Sequence, residues 1–215
     1  MTARAKANAH GDADGGDDAA VLRNARPDDV AGIAVVHVRS WQATYAGDFP
    51  DDFLDALDPA QRAEGWRRYF EQGLRADETV LVYETGSPTG GNRAGGEGNE
   101  SEGRESESVA GSGDIVGFAH VGPSRDEDAR GAGELYAIYL LPERWGQGLG
   151  RALMARSLVE LAASGFAAAT LWVLEGNRRA RRFYEAGGWR ADGSSKVDDH
   201  LGFPIREVRY RRELP

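Results

Sequence analysis

Hydrophobic and polar positions alternate along the chain with two different periods, and the period changes from one segment to the next. Short apolar runs with a period of two, bounded by glycine or charged residues, predict strands, and apolar residues three and four positions apart predict helices. The predicted strands are residues 20–25, 79–84, 114–121, 133–141, 168–174, 189–193 and 205–214. The predicted helices are one that starts near Pro27, one or two within 51–73, and two more over 147–164 and 177–188. This mixture, with a hairpin in its middle, predicts an α/β fold with a mixed, mostly antiparallel sheet.

Two segments show no hydrophobic period. Residues 1–18 are small and charged, and residues 85–113 are dominated by Gly, Ser and Glu. Such composition cannot bury enough apolar surface to offset the entropy of ordering, so we expect a disordered tail and a disordered insertion in a hairpin. The remaining 19–215 is expected to form one domain. The two segments carry net charges of −2 and −3 out of a total of −9, so the domain itself is only mildly acidic.

Composition excludes several classes of protein. The chain has no cysteine, so it has no disulfide, no thiolate metal site and no cysteine nucleophile; we predict no metal site. It has neither an apolar run long enough to span a membrane nor a secretory signal in its first twenty residues, and we expect a cytoplasmic protein. A net charge of −9 argues against a nucleic-acid partner.

Three glycines at alternate positions, Gly146, Gly148 and Gly150, stand between a predicted strand and a predicted helix. A helix N-terminus has unpaired N–H groups and a partial positive charge, and glycine lets an anion approach them closely. We therefore predict a phosphate site, most simply for a pyrophosphate, on the amides of residues 146–151, with Arg151 adding a charged contact.

Other interpretations of this loop are an ordinary strand-to-helix turn and two nucleotide-binding motifs. A Walker A loop requires Gly-Lys-Ser/Thr, which is missing. A dinucleotide fingerprint requires a third glycine where the chain has Arg151, although Glu175 lies where a ribose-binding acid would stand.

Two longer motifs resemble the GNAT superfamily of N-acetyltransferases. "IYLLPERWGQGLGRALM" is similar to the family's acetyl-CoA motif, a strand followed by Q/R-x-x-G-x-G/A and a helix. "WVLEGNRRARRFYEAGGW" is similar to its N-x-x-A-x-x-F-Y-x-x-x-G-F/W segment, and "SWQATYAGDFPDDFL" resembles the first helices of a bacterial subgroup. The resemblance covers residues 20–213 apart from the insertion. The chain departs from the family at Trp145, which occupies the Gln/Arg position of the first motif.

The resemblance implies a fold and a co-substrate. The fourth and fifth strands would be parallel and splay apart, and the pantetheine arm of acetyl-CoA would pair with the fourth strand in that splay. The implied acetyl-CoA contacts are Ile138, Tyr139, Leu140, Gly146, Gln147, Gly148, Leu149, Gly150, Arg151 and Asn177. Asn177 also suits the N-cap of its helix. Some of Arg178, Arg179, Arg181 and Arg182 would contact the ribose 3′-phosphate.

Direct transfer of an acetyl group to an amine needs a base, an oxyanion donor and an acid for the leaving thiolate. Tyr184 stands where the family's acid tyrosine lies. Glu134 is our candidate base, directly or through water, because the strand period puts it on one face with Tyr136 and Ile138. His120 is the other candidate, since its ordinary pKa suits proton transfer.

We predict an acetyl-CoA-dependent N-acetyltransferase that acts on a primary amine of a small molecule or peptide. Trp41 and Tyr45, four residues apart, and His120 are the predicted acceptor contacts. The alternatives are a non-catalytic acyl-CoA sensor on the same fold and an interaction protein that works through the acidic 85–113 segment. The family resemblance also makes a homodimer an open expectation.

Overall fold

A computed structural model describes residues 20–86 and 114–215, so the predicted tail and nearly all of the predicted insertion lie outside the described residues. Seven strands form one sheet in the order β1-β2-β3-β4-β5-β7-β6. In chain order they are β1 (Val21–Asn24), β2 (Thr79–Glu84), β3 (Ile115–Pro123), β4 (Gly133–Leu140), β5 (Ala168–Leu174), β6 (Arg190–Asp198) and β7 (Ile205–Glu213). The pairing of β2 with β3 confirms the hairpin, and the N–H of Thr85 donates to the carbonyl of Asp114 at 2.9 Å where the two strands meet the undescribed segment.

The sheet is antiparallel except between β4 and β5. These two strands pair over only two rungs, Gly133 with Ala169 and Glu134 with Thr170. Beyond Glu134 they separate, and β5 pairs along its whole length with β7 instead. The predicted mixed sheet with splayed, parallel fourth and fifth strands is therefore confirmed.

Helices cover both faces of the sheet. They are α1 (Val30–Thr44), α2 (Asp51–Asp55), α3 (Pro59–Glu71), α4 (Leu149–Ala163) and α5 (Arg178–Ala186). One core cluster, which includes Ile33, Val82 and Phe118, lies between the sheet and α1. The other, which includes Leu153 and Leu171, lies between the sheet and α4. Burial of apolar area on both faces makes this a three-layer α/β/α domain.

Local patterns predicted most element positions to within a few residues. Three leucines on the inner face of α4, Leu153, Leu158 and Leu161, are buried. Leu149 differs, because it begins the helix and packs against the other core cluster. Strand β6 continues past the predicted 189–193, because an irregularity in its register lets it pair with β7 again from Ser195.

A bulge in β4 changes which side chains share a face. Val121 pairs with Leu135 and His120 with Ala137, so Tyr136 is an extra residue in β4. An extra residue reverses the alternation of the side chains that follow it. Leu135 and Ile138 consequently pack into the same cluster, and Glu134 faces away from both. The prediction that Glu134, Tyr136 and Ile138 lie on one face was wrong for this reason.

Candidate functional site

A cavity of about 1070 Å³ lies where β4 and β5 separate. Its walls come from α1, β4, the glycine loop, the end of β5, α5 and the β6–β7 hairpin. Most of the predicted site residues line it, and these are Trp41, Tyr45, Glu134, Ile138, Tyr139, Leu140, Gly146, Gly148, Gly150, Arg151, Asn177 and Tyr184. The splay therefore brings together side chains from both halves of the chain.

The glycine loop enters α4 through two left-handed residues. Gly146 has φ 79° and Gly148, the N-cap of α4, has φ 87°. A Cβ atom at Gly146 would meet nothing within 4 Å, and one at Gly148 would come only near the end of Arg151. Gly148 also offers no side chain to cap the helix, so the first N–H groups of α4 remain available to an anion.

Gly150 is different. It is already helical, and a Cβ there would lie 3.3 Å from Cδ1 of Leu140 and 3.6 Å from the ring of Phe183. The third glycine thus lets α4 pack closely between β4 and α5. Gln147 turns outward, with its Nε2 donating to the carbonyl of Glu143 at 3.0 Å.

Tyr184 projects from α5 into the cavity. Its ring packs 6.4 Å from the rings of Trp189 and Tyr210. Burial, together with the nearby Tyr139, raises the pKa of the Tyr184 phenol above its ordinary value. The side chain therefore keeps its proton throughout the neutral range, as a proton donor must.

Asn177 begins α5 beside this tyrosine. Its Oδ1 accepts the N–H of Ala180 at 2.9 Å, which is the N-cap bond expected from the sequence. The cap uses only the oxygen, so the two amide hydrogens of the side chain remain for a ligand in the cavity.

Glu134 lies where β4 and β5 part, and only 1% of its side chain is exposed. Its carboxylate accepts the N–H of Arg125 at 2.8 Å and the Nη2 of the same residue at 2.5 Å. The Arg125 guanidinium also lies 4.4 Å from the centre of the Tyr136 ring. The structure therefore places the predicted base inside an ion pair at the cavity wall.

Aromatic side chains from α1 and the segment after it form another wall of the cavity. The rings of Trp41 and Tyr45 are 5.4 Å apart, and Tyr45 stacks on Phe49 at 4.5 Å. His37 stacks on Tyr139 at 5.3 Å, and burial lowers the pKa of His37 to about 3. The buried Nδ1 of His37 has no hydrogen-bond partner within the part of the chain that the structure describes.

His120 does not reach this cavity. It lines a second, smaller one of about 420 Å³, where its Nε2 lies 3.2 Å from the Tyr69 hydroxyl. Burial lowers the pKa of His120 to about 4. Arg125 and Tyr136 line both cavities and separate them. Contact between His120 and an acceptor stays a prediction that requires the acceptor to extend past this pair.

Sequence reasoning missed several residues of the site. Those that line the main cavity are His37, Arg125, Asp126, Trp172, Lys196 and Glu207. Arg125 belongs to a charged connection and Lys196 to the last hairpin, and neither has a local pattern that marks it. Within residues 20–86 and 114–215, no group of three or more His, Cys, Asp or Glu side chains could hold a metal ion. No helix in these ranges is both long and apolar enough to cross a membrane.

Comparison with known proteins agrees with this fold. The model of the acetyltransferase (GNAT) family matches residues 38–189. The uncharacterized N-acetyltransferase YuaI of Bacillus subtilis is 35% identical over 156 residues, which cover 73% of this chain and 72% of YuaI. The chain therefore belongs to the GNAT family of acetyltransferases.

Solved structures show the same fold at low identity. PaiA N-acetyltransferase from Thermoplasma acidophilum, in complex with coenzyme A, is 16% identical with a TM-score of 0.57, over 91% of this chain and 99% of that one. YncA from Salmonella typhimurium, solved with acetyl-CoA, is 18% identical with a TM-score of 0.57, over 91% of this chain and 94% of its own.

Proposed function

We propose that this enzyme transfers the acetyl group of acetyl-CoA directly to a primary amine of a small molecule or peptide. The observation that carries the proposal is that one cavity joins three features. These are the glycine loop at the N-terminus of α4, which has no side-chain cap, the edge of β4 that β5 leaves free, and the Tyr184 phenol. Family membership favours this function over a non-catalytic acyl-CoA sensor, because both the matched family and YuaI are described by acetyl transfer.

The cavity fits acetyl-CoA on two observations. Open space surrounds Gly146 and Gly148, where a side chain would otherwise stand, and the α4 N-terminus has no side-chain cap. The splay leaves the β4 edge at Ile138 without a partner strand from β5, so an extended amide chain could pair there. The pyrophosphate would lie on the loop and the pantetheine arm along β4, and the molecule supplies the acetyl thioester.

Tyr184 is the proposed acid. Its raised pKa keeps the phenol protonated, and its hydroxyl has no hydrogen-bond partner elsewhere in the described ranges. It is therefore free to donate a proton to the sulfur that leaves when the amine nitrogen bonds to the acetyl carbon. The bulge leaves Tyr136 outside the register of β3 and β4 at the cavity wall, and its backbone N–H is the proposed donor to the developing oxyanion.

Glu134 remains the proposed base, acting through water. It would take the proton that the ammonium must lose before it attacks. The Arg125 guanidinium donates to Oε1 and its backbone N–H donates to Oε2, so the second lone pair of Oε2 would take the proton. His120 is the competing base, but a pKa of about 4 makes its neutral ring a weak acceptor of a proton.

The acceptor would bind between the aromatic wall and Arg125. Trp41 and Tyr45 offer apolar ring faces with polar tips, which suits an amine carried on an apolar or aromatic body. Two carboxylates of the cavity form ion pairs, Asp126 with Arg209 and Glu207 with Lys196. Charge alone therefore selects no acceptor.

Binding and turnover test the proposal separately. Titration calorimetry with acetyl-CoA should show micromolar binding that Gly148→Glu abolishes, because the new carboxylate would stand in the phosphate site. A panel of amines should then give amine-dependent thiol release, reduced about a hundredfold or more in Tyr184→Phe with little change in acetyl-CoA affinity. Binding without thiol release from any amine would instead support the sensor. A homodimer stays a prediction, and light scattering would test it.

A further inference from the structure

Trp145 stands at the motif position where GNAT enzymes carry Gln or Arg. Its indole Nε1 donates to the carbonyl of Leu140 at 2.9 Å, and the same carbonyl accepts the Ser40 hydroxyl at 2.8 Å. The indole thus ties the start of the glycine loop to the end of β4. It carries no charge, however, so the loop has lost the cation or amide that this motif position otherwise supplies.

A guanidinium from another element lies on this indole. Arg179, in the first turn of α5, places its Cζ atom 3.5 Å from the centre of the Trp145 ring. Such a stack holds a guanidinium in place while leaving its N–H groups free. Both residues line the main cavity together with Gly146 and Gly148.

The other arginines of α5 have different roles. Arg181 donates to the Tyr210 hydroxyl and to the carbonyl of Glu175, both at 3.0 Å. Arg182 donates to the carbonyl of Arg178 at 3.2 Å. Arg179 alone of these lines the cavity, and within residues 20–86 and 114–215 it has no carboxylate partner.

We propose that Arg179, held on the Trp145 ring, binds the pyrophosphate of acetyl-CoA and supplies the charge that the Trp145 position lacks. This rests on the proposed function, because it takes acetyl-CoA as the ligand. Trp145 directly precedes Gly146, and Arg179 and Arg151 line the same cavity as the loop glycines. A phosphate on the loop amides would therefore have two guanidinium groups in the same cavity.

Calorimetry with acetyl-CoA, CoA and dephospho-CoA tests the role of Arg179. Arg179→Gln should raise the Kd of all three about tenfold or more, the range of one lost charge-assisted bond. The matched control is Arg190→Gln, which removes the same charge from an exposed position of β6 outside the cavity and should leave each Kd within about twofold.

The three ligands separate the two phosphates of the cofactor. Equal losses for CoA and dephospho-CoA support the pyrophosphate, since dephospho-CoA lacks only the 3′-phosphate. A loss confined to CoA and acetyl-CoA, or no loss in Arg179→Gln while the wild type binds, would overturn the proposal. Failure of the wild type to bind any of them would overturn the proposed function as well, so the two failures are distinguishable.

Variants of Trp145 test whether the ring acts through Arg179. Trp145→Phe keeps an aromatic face and should bind like the wild type within about twofold, whereas Trp145→Ala should raise the Kd about fivefold. The double variant Trp145→Ala/Arg179→Gln should bind no more weakly than Arg179→Gln alone. Fully additive losses would contradict the stack, and thermal unfolding of each variant identifies any that lose the fold.

Discussion

Residues of the same type occupy this site for different physical reasons, as the three loop glycines show. Gly146 and Gly148 adopt backbone angles that other residues rarely tolerate, and they open the loop to an anion. Gly150 is an ordinary helical residue whose missing Cβ leaves room for Leu140 and Phe183. The surroundings also set the pKa of the buried histidines. Burial lowers the pKa of both His37 and His120, whereas it would not lower that of a solvent-exposed ring.

The lowered pKa of His120 predicts how stability depends on pH. The unfolded chain protonates this ring near pH 6.5, whereas the folded protein does so only near pH 4. The unfolded state therefore binds more protons between these values, and the free energy of unfolding falls as the pH drops, by about 2 kcal/mol for this residue between pH 6.5 and 5. The variant His120→Gln keeps a side chain that can bond to Tyr69. Its free energy of unfolding, measured with urea, should fall by about 2 kcal/mol less than that of the wild type over the same pH interval. An unchanged pH slope would contradict the burial of a neutral imidazole.

At the scale of elements, the site depends on where β4 leaves β5 and where α5 begins. The two rungs between β4 and β5 end at Glu134, and the bulge at Tyr136 follows at once. Helix α5 then presents Asn177 and Tyr184 to the resulting cleft. A cap and a possible ligand contact thus coincide in one side chain, Asn177.

Variants of Asn177 separate these two roles. Asn177→Asp keeps a capping oxygen of equal quality and so should leave the melting temperature unchanged or slightly raised. It replaces the amide donor with a charge, so the Kd for acetyl-CoA should rise about tenfold. Asn177→Ala should lose about 1 kcal/mol of stability as well. Unchanged binding in Asn177→Asp would limit the residue to capping.

At the scale of the whole molecule, Arg209 joins segments that are distant in the chain. From β7, with 8% of its side chain exposed, it contacts Asp126 and Asp128 of the β3–β4 connection and Asp192 of β6. Asp126 in turn accepts the indole N–H of Trp172 at 2.9 Å. This cluster fixes one wall of the cavity against the last hairpin.

Removal of Arg209 should therefore destabilise the fold. Arg209→Met leaves Asp126 and Asp192 without their partner, and the free energy of unfolding should fall by about 3 kcal/mol, with Arg209→Lys recovering only part because it lacks the planar fork. Arg211→Met is the matched control on the same strand. Its pair with Glu213 is exposed, so its loss should stay below about 1 kcal/mol. Equal losses in urea unfolding would refute a special role for the cluster.

The segment between β2 and β3 gives a second prediction at this scale. Because Thr85 and Asp114 are hydrogen-bonded, a short Gly- and Asn-containing turn in place of residues 87–113 should preserve the hairpin. We expect a melting temperature within about 3 °C of the wild type and unchanged acetyl-CoA affinity. A marked loss of amine-dependent thiol release would show that the segment takes part in acceptor binding, contrary to this expectation.

The sequence by itself determined the elements and the glycine-rich junction between strand and helix, and its resemblance to the GNAT family implied the parallel fourth and fifth strands. Hydrophobic period, glycine spacing and motif order depend on residues close together in the chain, so they are visible in the sequence without the fold. The same information placed Asn177 at its cap and Tyr184 on the helix that faces the splay.

Only the tertiary structure decided how distant segments meet. The bulge in β4 turned Glu134 away from Ile138, and His120 lines a second cavity. The β3–β4 connection brought Arg125 onto Glu134, and the placement of α5 brought Arg179 onto Trp145. Such contacts depend on register, bulges and the angle at which strands part. These result from packing of the whole core, and no local pattern records them.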